Sequence, residues 1–244
     1  MRDAGPRWLG IGGQRCGSTW LTDLLVQHPA VSLVGDRKEL HVLYRGLVSG
    51  PDRKMLDDYR CQFTADAHVG ECTPYYLRSV WTPQVAASVL DDDALVWCIL
   101  RDPVERFASA MRHEMQRARE RGEPFDGRWE RLIGSDASWG GMYADQLDAW
   151  VRALGRSRLT VLQYEVVKRD PEKVLHDLWG AMDLAPATLT HVDRPSATTS
   201  RPDTFDLDGH PGLRDRLREL YEPQVARLVA EWNFERDAWL NFSN

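Results

Sequence analysis

Trp8-Leu9-Gly10-Ile11-Gly12-Gly13-Gln14-Arg15-Cys16-Gly17-Ser18-Thr19-Trp20-Leu21 decides the fold: a short apolar run, a glycine-rich turn and the opening of an amphipathic segment follow without a break. A strand that feeds such a turn into a helix start aims backbone N–H groups and the positive end of a helix dipole at one point. That arrangement holds an anion, usually a phosphate. Gly12 and Gly17 frame four residues and Ser18-Thr19 follow, so the turn nearly fits the Walker A pattern, but Ser18 stands where the pattern has lysine. A Walker lysine reaches the terminal phosphates of a nucleoside triphosphate while its neighbouring hydroxyl holds magnesium. Here the cation of the turn is Arg15, inside the loop. The turn reads as a phosphate cradle not built for metal-bound ATP, against the plainer reading of an ordinary glycine-rich strand-to-helix connection.

Outward from the turn, helix and strand alternate. Arg7 to Gly12 reads as a buried first strand, and Ser18 or Thr19 caps a helix to about His28 with Trp20, Leu21, Leu24 and Leu25 on its apolar face. Val31 to Leu33 and Val69 to Glu71 are short strand candidates, and Pro83 opens a helix carrying Val85, Ala86 and Val89. Leu95-Val96-Trp97-Cys98-Ile99-Leu100 is the strongest strand, because an unbroken apolar run means burial on both faces, as in a parallel sheet covered by helices. Arg101-Asp102-Pro103 then turns into a helix in which Phe107, Met111 and Met115 recur at four-residue spacing. Tyr143 to Leu154 gives a further helical face, Leu159 to Leu162 a further buried strand, and Pro171 another helix start. Glu120 to Ser138 reads as a surface excursion, Asp193 to Gly212 as a long loop or lid, and Pro223 punctuates the closing helices. The pattern predicts an α/β fold: one P-loop-like domain over residues 1–244, with a central parallel β-sheet flanked by α-helices.

Composition narrows the partners. A chain of 244 residues with 43% hydrophobic content suffices for one sizeable core. The formal net charge of −6 disfavours a broad basic face, so neither nucleic acid nor a membrane surface is expected as a partner. The four cysteines, Cys16, Cys61, Cys72 and Cys98, show neither metal-ligand spacing nor a dense secreted pattern. A reduced, cytoplasmic protein without a metal is expected. The apolar runs are too short to span a bilayer, and the first one is broken by glycines rather than laid out as a signal. The ten tryptophans read mostly as core or as walls of an acceptor cleft.

Two strand-to-helix junctions, Gly12 to Thr19 and Arg101 to Ser109, place cations and hydroxyls at the C-terminal edge of a parallel sheet, where open α/β sheets bind ligands. The spacing permits a shared anion without requiring one. Arg101-Asp102 also reads as a helix-start ion pair, and an apolar strand ending in Asp as a Walker B carboxylate.

Together the junctions resemble the sulfotransferases that use 3′-phosphoadenosine-5′-phosphosulfate (PAPS). Gly12-Gly13-Gln14-Arg15-Cys16-Gly17-Ser18-Thr19 is similar to that family's 5′-phosphosulfate loop, and Leu100-Arg101-Asp102-Pro103-Val104-Glu105-Arg106 followed by Ser109 to its 3′-phosphate motif. Arg37-Lys38-Glu39-Leu40-His41 resembles the Lys-Glu-x-His segment of the heparan sulfate (N-/3-O-) sulfotransferase branch, and Gly70-Glu71-Cys72-Thr73-Pro74-Tyr75-Tyr76 its acceptor-side segment. The resemblance implies PAPS as donor, 3′,5′-adenosine bisphosphate (PAP) as product, and no metal. It implies that Gln14, Arg15, Cys16, Gly17, Ser18, Thr19 and Trp20 hold the 5′ end, and that Arg101 and Ser109 grip the 3′-phosphate. Arg201 is the cation of the Pro195 to Leu207 segment, where the family's adenine-side loop falls. Glu39 is implied as catalytic base, with Arg15 stabilising charge and His41 orienting Glu39 or the acceptor. Glu71, Tyr75, Tyr76 and Trp81 are expected on the acceptor side. Four positions depart from the pattern: Arg15 for a lysine, Ser18 for a threonine, Cys72 where several members have lysine, and Met111 where an aromatic is common. The first two keep the chemistry, while Cys72 leaves the family's second catalytic cation without a match at that position.

The expected activity is transfer of a sulfuryl group to a hydroxyl or amine of a carbohydrate or small natural product. A small-molecule P-loop kinase or other nucleoside triphosphatase is the alternative that the missing lysine opposes. A catalytically silent nucleotide-binding protein of the same fold is the other. The sequence specifies neither the acceptor nor the oligomeric state.

Overall fold

The computed structural model describes residues 5–36, 38–45, 52–63, 68–123, 136–192 and 205–243. Five parallel strands form one sheet in the order β2-β3-β1-β4-β5: β1 (Trp8–Gly12), β2 (Val31–Leu33), β3 (His68–Cys72), β4 (Leu95–Leu100) and β5 (Leu159–Gln163). Every residue of β1 and β4 is buried, which explains their unbroken apolar runs. Trp8 and Trp97 stack across these two strands with ring centroids 6.5 Å apart, and each fully buried large side chain contributes roughly 1.5–3 kcal/mol. β5 is an edge strand with a half-buried middle, so its apolar run signals one covered face and not the full burial expected.

The helices follow the strands. They are α1 (Ser18–Leu25), α2 (Arg53–Arg60), α3 (Thr82–Val89), α4 (Pro103–Glu120), α5 (Asp136–Trp139), α6 (Tyr143–Leu154), α7 (Tyr164–Arg169), α8 (Pro171–Gly180) and α9 (Leu213–Trp232). Neither Ser18 nor Thr19 caps α1. The N-cap is Gly17 at φ 91°, a left-handed conformation, and an added Cβ there would meet the Tyr164 ring at 2.7 Å. Asp102 caps α4, accepting from the N–H groups of Val104 and Glu105, while its other oxygen accepts from Asn241. The carboxylate that resembled a metal ligand or an ion-pair partner is therefore a buried helix cap. Pro223 lies inside the single helix α9 and does not divide it. Residues 124–135 of the expected surface excursion and 193–204 of the expected lid, with Arg201, lie outside the described residues.

The chain adds β2 and β3 on one side of β1, then crosses to add β4 and β5 on the other. The order thus reverses beside β1 and β4, the switch point at whose carboxyl ends such sheets form a crevice. No helix of the described residues is long and apolar enough to cross a membrane.

Candidate active site

A cleft of about 780 Å³ opens at that point and takes residues from beyond the carboxyl end of every strand. The β1 turn supplies Gln14, Arg15, Gly17, Ser18, Thr19 and Trp20. The connection after β2 supplies Glu39 and His41, that after β3 supplies Pro74, and β5 leads into Tyr164 and Lys168 of α7. From β4 the chain passes Arg101 and enters α4, whose Glu105, Ser109, Arg112, His113 and Arg117 line one wall. Glu105, Ser109, His113 and Arg117 recur every four residues, and Arg112 stands three after Ser109, which keeps them on one helical face.

The two expected phosphate elements meet here. Arg15 Nε lies 3.4 Å from Ser109 Oγ, and the Arg101 guanidinium sits 5.5 Å above the Tyr164 ring, with a loose 3.8 Å pairing to Glu105. The N–H groups in the first turn of α1 have no intrahelical acceptor, and the residues that carry them border the cleft. Trp20, also in the wall, has a buried indole N–H with no acceptor. Arg15 is held below the ordinary guanidinium range, first by partial desolvation and then by Arg101 and Arg106, although Cys16 and Glu114 offset part of this. Five Arg or Lys side chains, at 15, 101, 112, 117 and 168, line a cleft with two carboxylates, in a chain of net charge −6. The cations are concentrated where a polyanion fits.

Glu39 faces this cationic wall. Its Oε1 accepts from Lys38 Nζ at 3.2 Å, and His41 Nε2 lies 3.2 Å from its Oε2. Lys38 Nζ also donates to Thr19 Oγ1 at 2.9 Å, tying the Glu39 loop to the phosphate turn. Arg15, Glu39 and His41 have φ values of 65°, 68° and 56°, left-handed conformations that cost a non-glycine residue about 1–3 kcal/mol each. They are three of the five such non-glycine residues among the described residues, and all three line the cleft.

Several expected residues lie elsewhere. Cys16 is fully buried, its thiol against Gln14 O and the Tyr143 hydroxyl, so it supports the turn from below. Glu71 and Tyr76 are fully buried and do not line the cleft; both bind the backbone of the Glu39 loop from behind. Tyr75 is half-buried outside the cleft lining, packed 5.0 Å from Tyr44 with Arg78 over its ring. Trp81 precedes α3, is 59% exposed and does not line the cleft. Aromatic character alone did not separate a cleft wall from core or open surface.

Other cleft residues escaped the sequence reading. Arg112, His113 and Arg117 continue on α4 the stripe of Glu105 and Ser109, and that helical spacing was the available signal. Tyr164 and Lys168 stand four apart on α7, at a third strand-to-helix junction of the kind that marked the first two. Lys38 opens the Lys-Glu-x-His segment and stands behind the cleft lining; its bond to Thr19 spans 19 positions and had no sequence signal.

Comparison with known proteins agrees with this architecture. A family model described as the sulfotransferase domain matches residues 7–183. The chain is 27% identical over 245 residues to the membrane-associated sulfotransferase kil1 of Dictyostelium discoideum, covering 97% of this chain and 50% of that protein. The chain thus spans about half the length of that curated relative. A solved sulfotransferase from Alicyclobacillus acidocaldarius shares the fold with a TM-score of 0.73 at 24% identity, over 97% of this chain and 99% of that one. The sulfotransferase domain from the curacin biosynthetic pathway does so with a TM-score of 0.57 at 13% identity, over 96% of this chain and 99% of its own. With the family model spanning most of its length and the cleft at the sheet's switch point, the chain belongs to the sulfotransferase family.

Proposed function

We propose that the protein transfers a sulfuryl group from PAPS to a hydroxyl or amine of a carbohydrate or small natural product, with Glu39 as general base. The observation that carries this reading is the convergence of the Arg15 turn, the Arg101 and Ser109 pair and the Glu39 carboxylate on one cleft. The cradle fits a nucleotide with two anionic ends. It has a glycine-capped helix start, a buried indole N–H without an acceptor, and arginines from two strand ends.

PAPS, when bound, supplies an activated sulfuryl group on a phosphate leaving oxygen. Arg15 and the α1 N–H groups neutralise charge that develops on the leaving phosphate, a preorganised stabilisation that costs no rearrangement during reaction. Arg101 and Ser109 grip the 3′-phosphate. Glu39 accepts the acceptor proton, a contribution of roughly 10²- to 10⁴-fold. Lys38 and His41 fix its two oxygens, so that the carboxylate stays turned toward the phosphate turn. The nucleoside triphosphatase alternative has no matching device, since Ser18 occupies the Walker lysine position and Asp102 is consumed as a helix cap.

Titration calorimetry with 3′,5′-adenosine bisphosphate in the absence of metal, against ATP with magnesium, tests the donor. The bisphosphate should bind more tightly and with no metal requirement; preference for ATP would overturn the reading. Glu39→Gln should keep bisphosphate affinity and lose sulfuryl transfer, and retained transfer would overturn its role as base.

A further inference from the structure

Glu71, the penultimate residue of β3, is a fully buried carboxylate that the cleft does not reach, yet it is the centre of a hydrogen-bond network ending on the Glu39 loop. Its Oε1 accepts from the hydroxyls of Tyr59 at 3.0 Å and Tyr76 at 2.8 Å. Its Oε2 accepts from the Thr73 hydroxyl at 2.7 Å and the Leu40 N–H at 3.4 Å. These four donors fill the acceptor capacity of an ionised carboxylate. Burial pushes the Glu71 carboxyl up, and the same hydrogen bonds oppose that shift.

A hydroxyl has one proton to give. Tyr76 gives its proton to Glu71, so its lone pairs receive the N–H groups of Val42 at 3.1 Å and Leu43 at 3.3 Å. Thr73 does the same for the His41 N–H at 3.4 Å, and the Cys72 carbonyl takes the Glu39 N–H at 3.0 Å. The N–H groups of residues 39, 40, 41, 42 and 43 thus all end on residues 71–76. The left-handed backbone at Glu39 and His41 is held against its own preference by this row of bonds.

We propose that Glu71 is a positioning residue for sulfuryl transfer: an acceptor-only group that fixes the direction of three hydroxyls and, through two of them and directly at Leu40, holds the 39–43 loop so that the Glu39 carboxylate stands in the cleft. The inference rests on the reading of Glu39 as general base. Glutamine is nearly the same size but cannot substitute, because its amide nitrogen donates. If that nitrogen replaces Oε2, it faces the Leu40 N–H, donor against donor. If it replaces Oε1, Tyr76 must accept from it and has one lone pair fewer for Val42 and Leu43. Either way a loop N–H loses its acceptor.

The test compares Glu71→Gln, Thr73→Val and Thr73→Ser in the full chain. Three readouts are used: amide hydrogen exchange of residues 39–43, calorimetric affinity for 3′,5′-adenosine bisphosphate, and release of radiolabelled sulfuryl from PAPS to a mixture of simple phenols and monosaccharides or to water. Glu71→Gln and Thr73→Val should speed exchange in the 39–43 segment and lower turnover about 10- to 100-fold, since a displacement near 1 Å costs about that much. Bisphosphate affinity should stay within about twofold of wild type, and Thr73→Ser, which keeps the hydroxyl, should restore both exchange protection and turnover. Adding Glu71→Gln to Glu39→Gln should cost little further rate, because the positioned group is already gone. Unchanged exchange and turnover in Glu71→Gln, losses that multiply in the double variant, or a parallel fall in bisphosphate affinity would each overturn the proposal. If Glu71→Gln does not fold, the Thr73→Val and Thr73→Ser pair decides by the same criteria. Retained transfer in Glu39→Gln defeats the base assignment, and the positioning role falls with it. Loss there with none in a folded Glu71→Gln defeats the positioning role alone.

Discussion

Replacing Gly17 with alanine tests how the phosphate turn is built. Gly17 is the N-cap of α1 at φ 91° with no side-chain capping bond, and a Cβ there would lie 2.7 Å and 2.8 Å from two carbons of the Tyr164 ring. An L-residue held in the left-handed region loses about 1–2 kcal/mol. Forcing a methyl group against a packed ring adds about 1–3 kcal/mol, because the ring or the backbone must give way. The sum is about 2–5 kcal/mol of unfolding free energy, read as a lower urea midpoint with an unchanged slope. Tyr164 is also the ring beneath the Arg101 guanidinium, so a displaced ring carries that cation with it and bisphosphate affinity should fall as well. A double-variant cycle separates the two terms. In a Tyr164→Ala background the steric term disappears and the dihedral cost remains, so Gly17→Ala should cost about 1–3 kcal/mol less there than in the wild type. A Gly17→Ala protein within about 0.5 kcal/mol of wild type, or an equal cost in both backgrounds, would refute this account of the turn.

Glu165, between the Asp102 N–H and the Trp239 indole, is raised from 4.5 to about 7, first by burial and further by the Asp102 charge, with its hydrogen bonds opposing. The native state therefore binds this proton more tightly than the unfolded chain. Its contribution to stability is full below about pH 4.5 and lost as pH rises to about 7, a decline of up to about 3 kcal/mol. Urea denaturation across that window should show a shallower decline in Glu165→Gln; an identical pH profile in the variant would contradict it. Lys38→Met should lower turnover about tenfold with bisphosphate affinity within about threefold, because it frees the Glu39 carboxylate while leaving the phosphate grip; a larger loss in affinity than in turnover would place Lys38 on the nucleotide instead. Trp81→Ser should leave turnover and bisphosphate affinity within about twofold and stability within about 0.5 kcal/mol, since the side chain is open to solvent; a substantial loss of turnover would return Trp81 to the acceptor site.

The sheet was legible because β1 and β4 are central strands, and burial on both faces writes itself as a continuous apolar run. The same rule misled at β5, where an apolar run lies at the edge. Within the cleft, Arg15, Arg101 and Ser109 were legible from their places at strand-to-helix junctions, and the fold brings Arg15 and Ser109 into contact. Glu71 was misread because a glutamate between glycine and cysteine gives no local sign of burial. Its hydroxyl partner Tyr59 stands twelve positions earlier, and the loop it holds some thirty. Ser18 and Thr19 are the stronger capping residues by type, yet Gly17 is the cap, because the close approach of Tyr164 leaves room only for glycine there. Pro223 read as a break because helix interiors disfavour proline, yet α9 runs through it with Leu217, Tyr221, Val225 and Leu228 buried. Tertiary packing overrides the local preference there.

A co-crystal structure with 3′,5′-adenosine bisphosphate tests the central claim most directly. The account predicts the 5′-phosphate against the Gly13 to Thr19 turn, the 3′-phosphate between Arg101 and Ser109, and the Glu39 carboxylate facing the open side of the 5′-phosphate. A bisphosphate bound outside this cleft, or bound with Arg101 and Ser109 turned away from its 3′-phosphate, would contradict it.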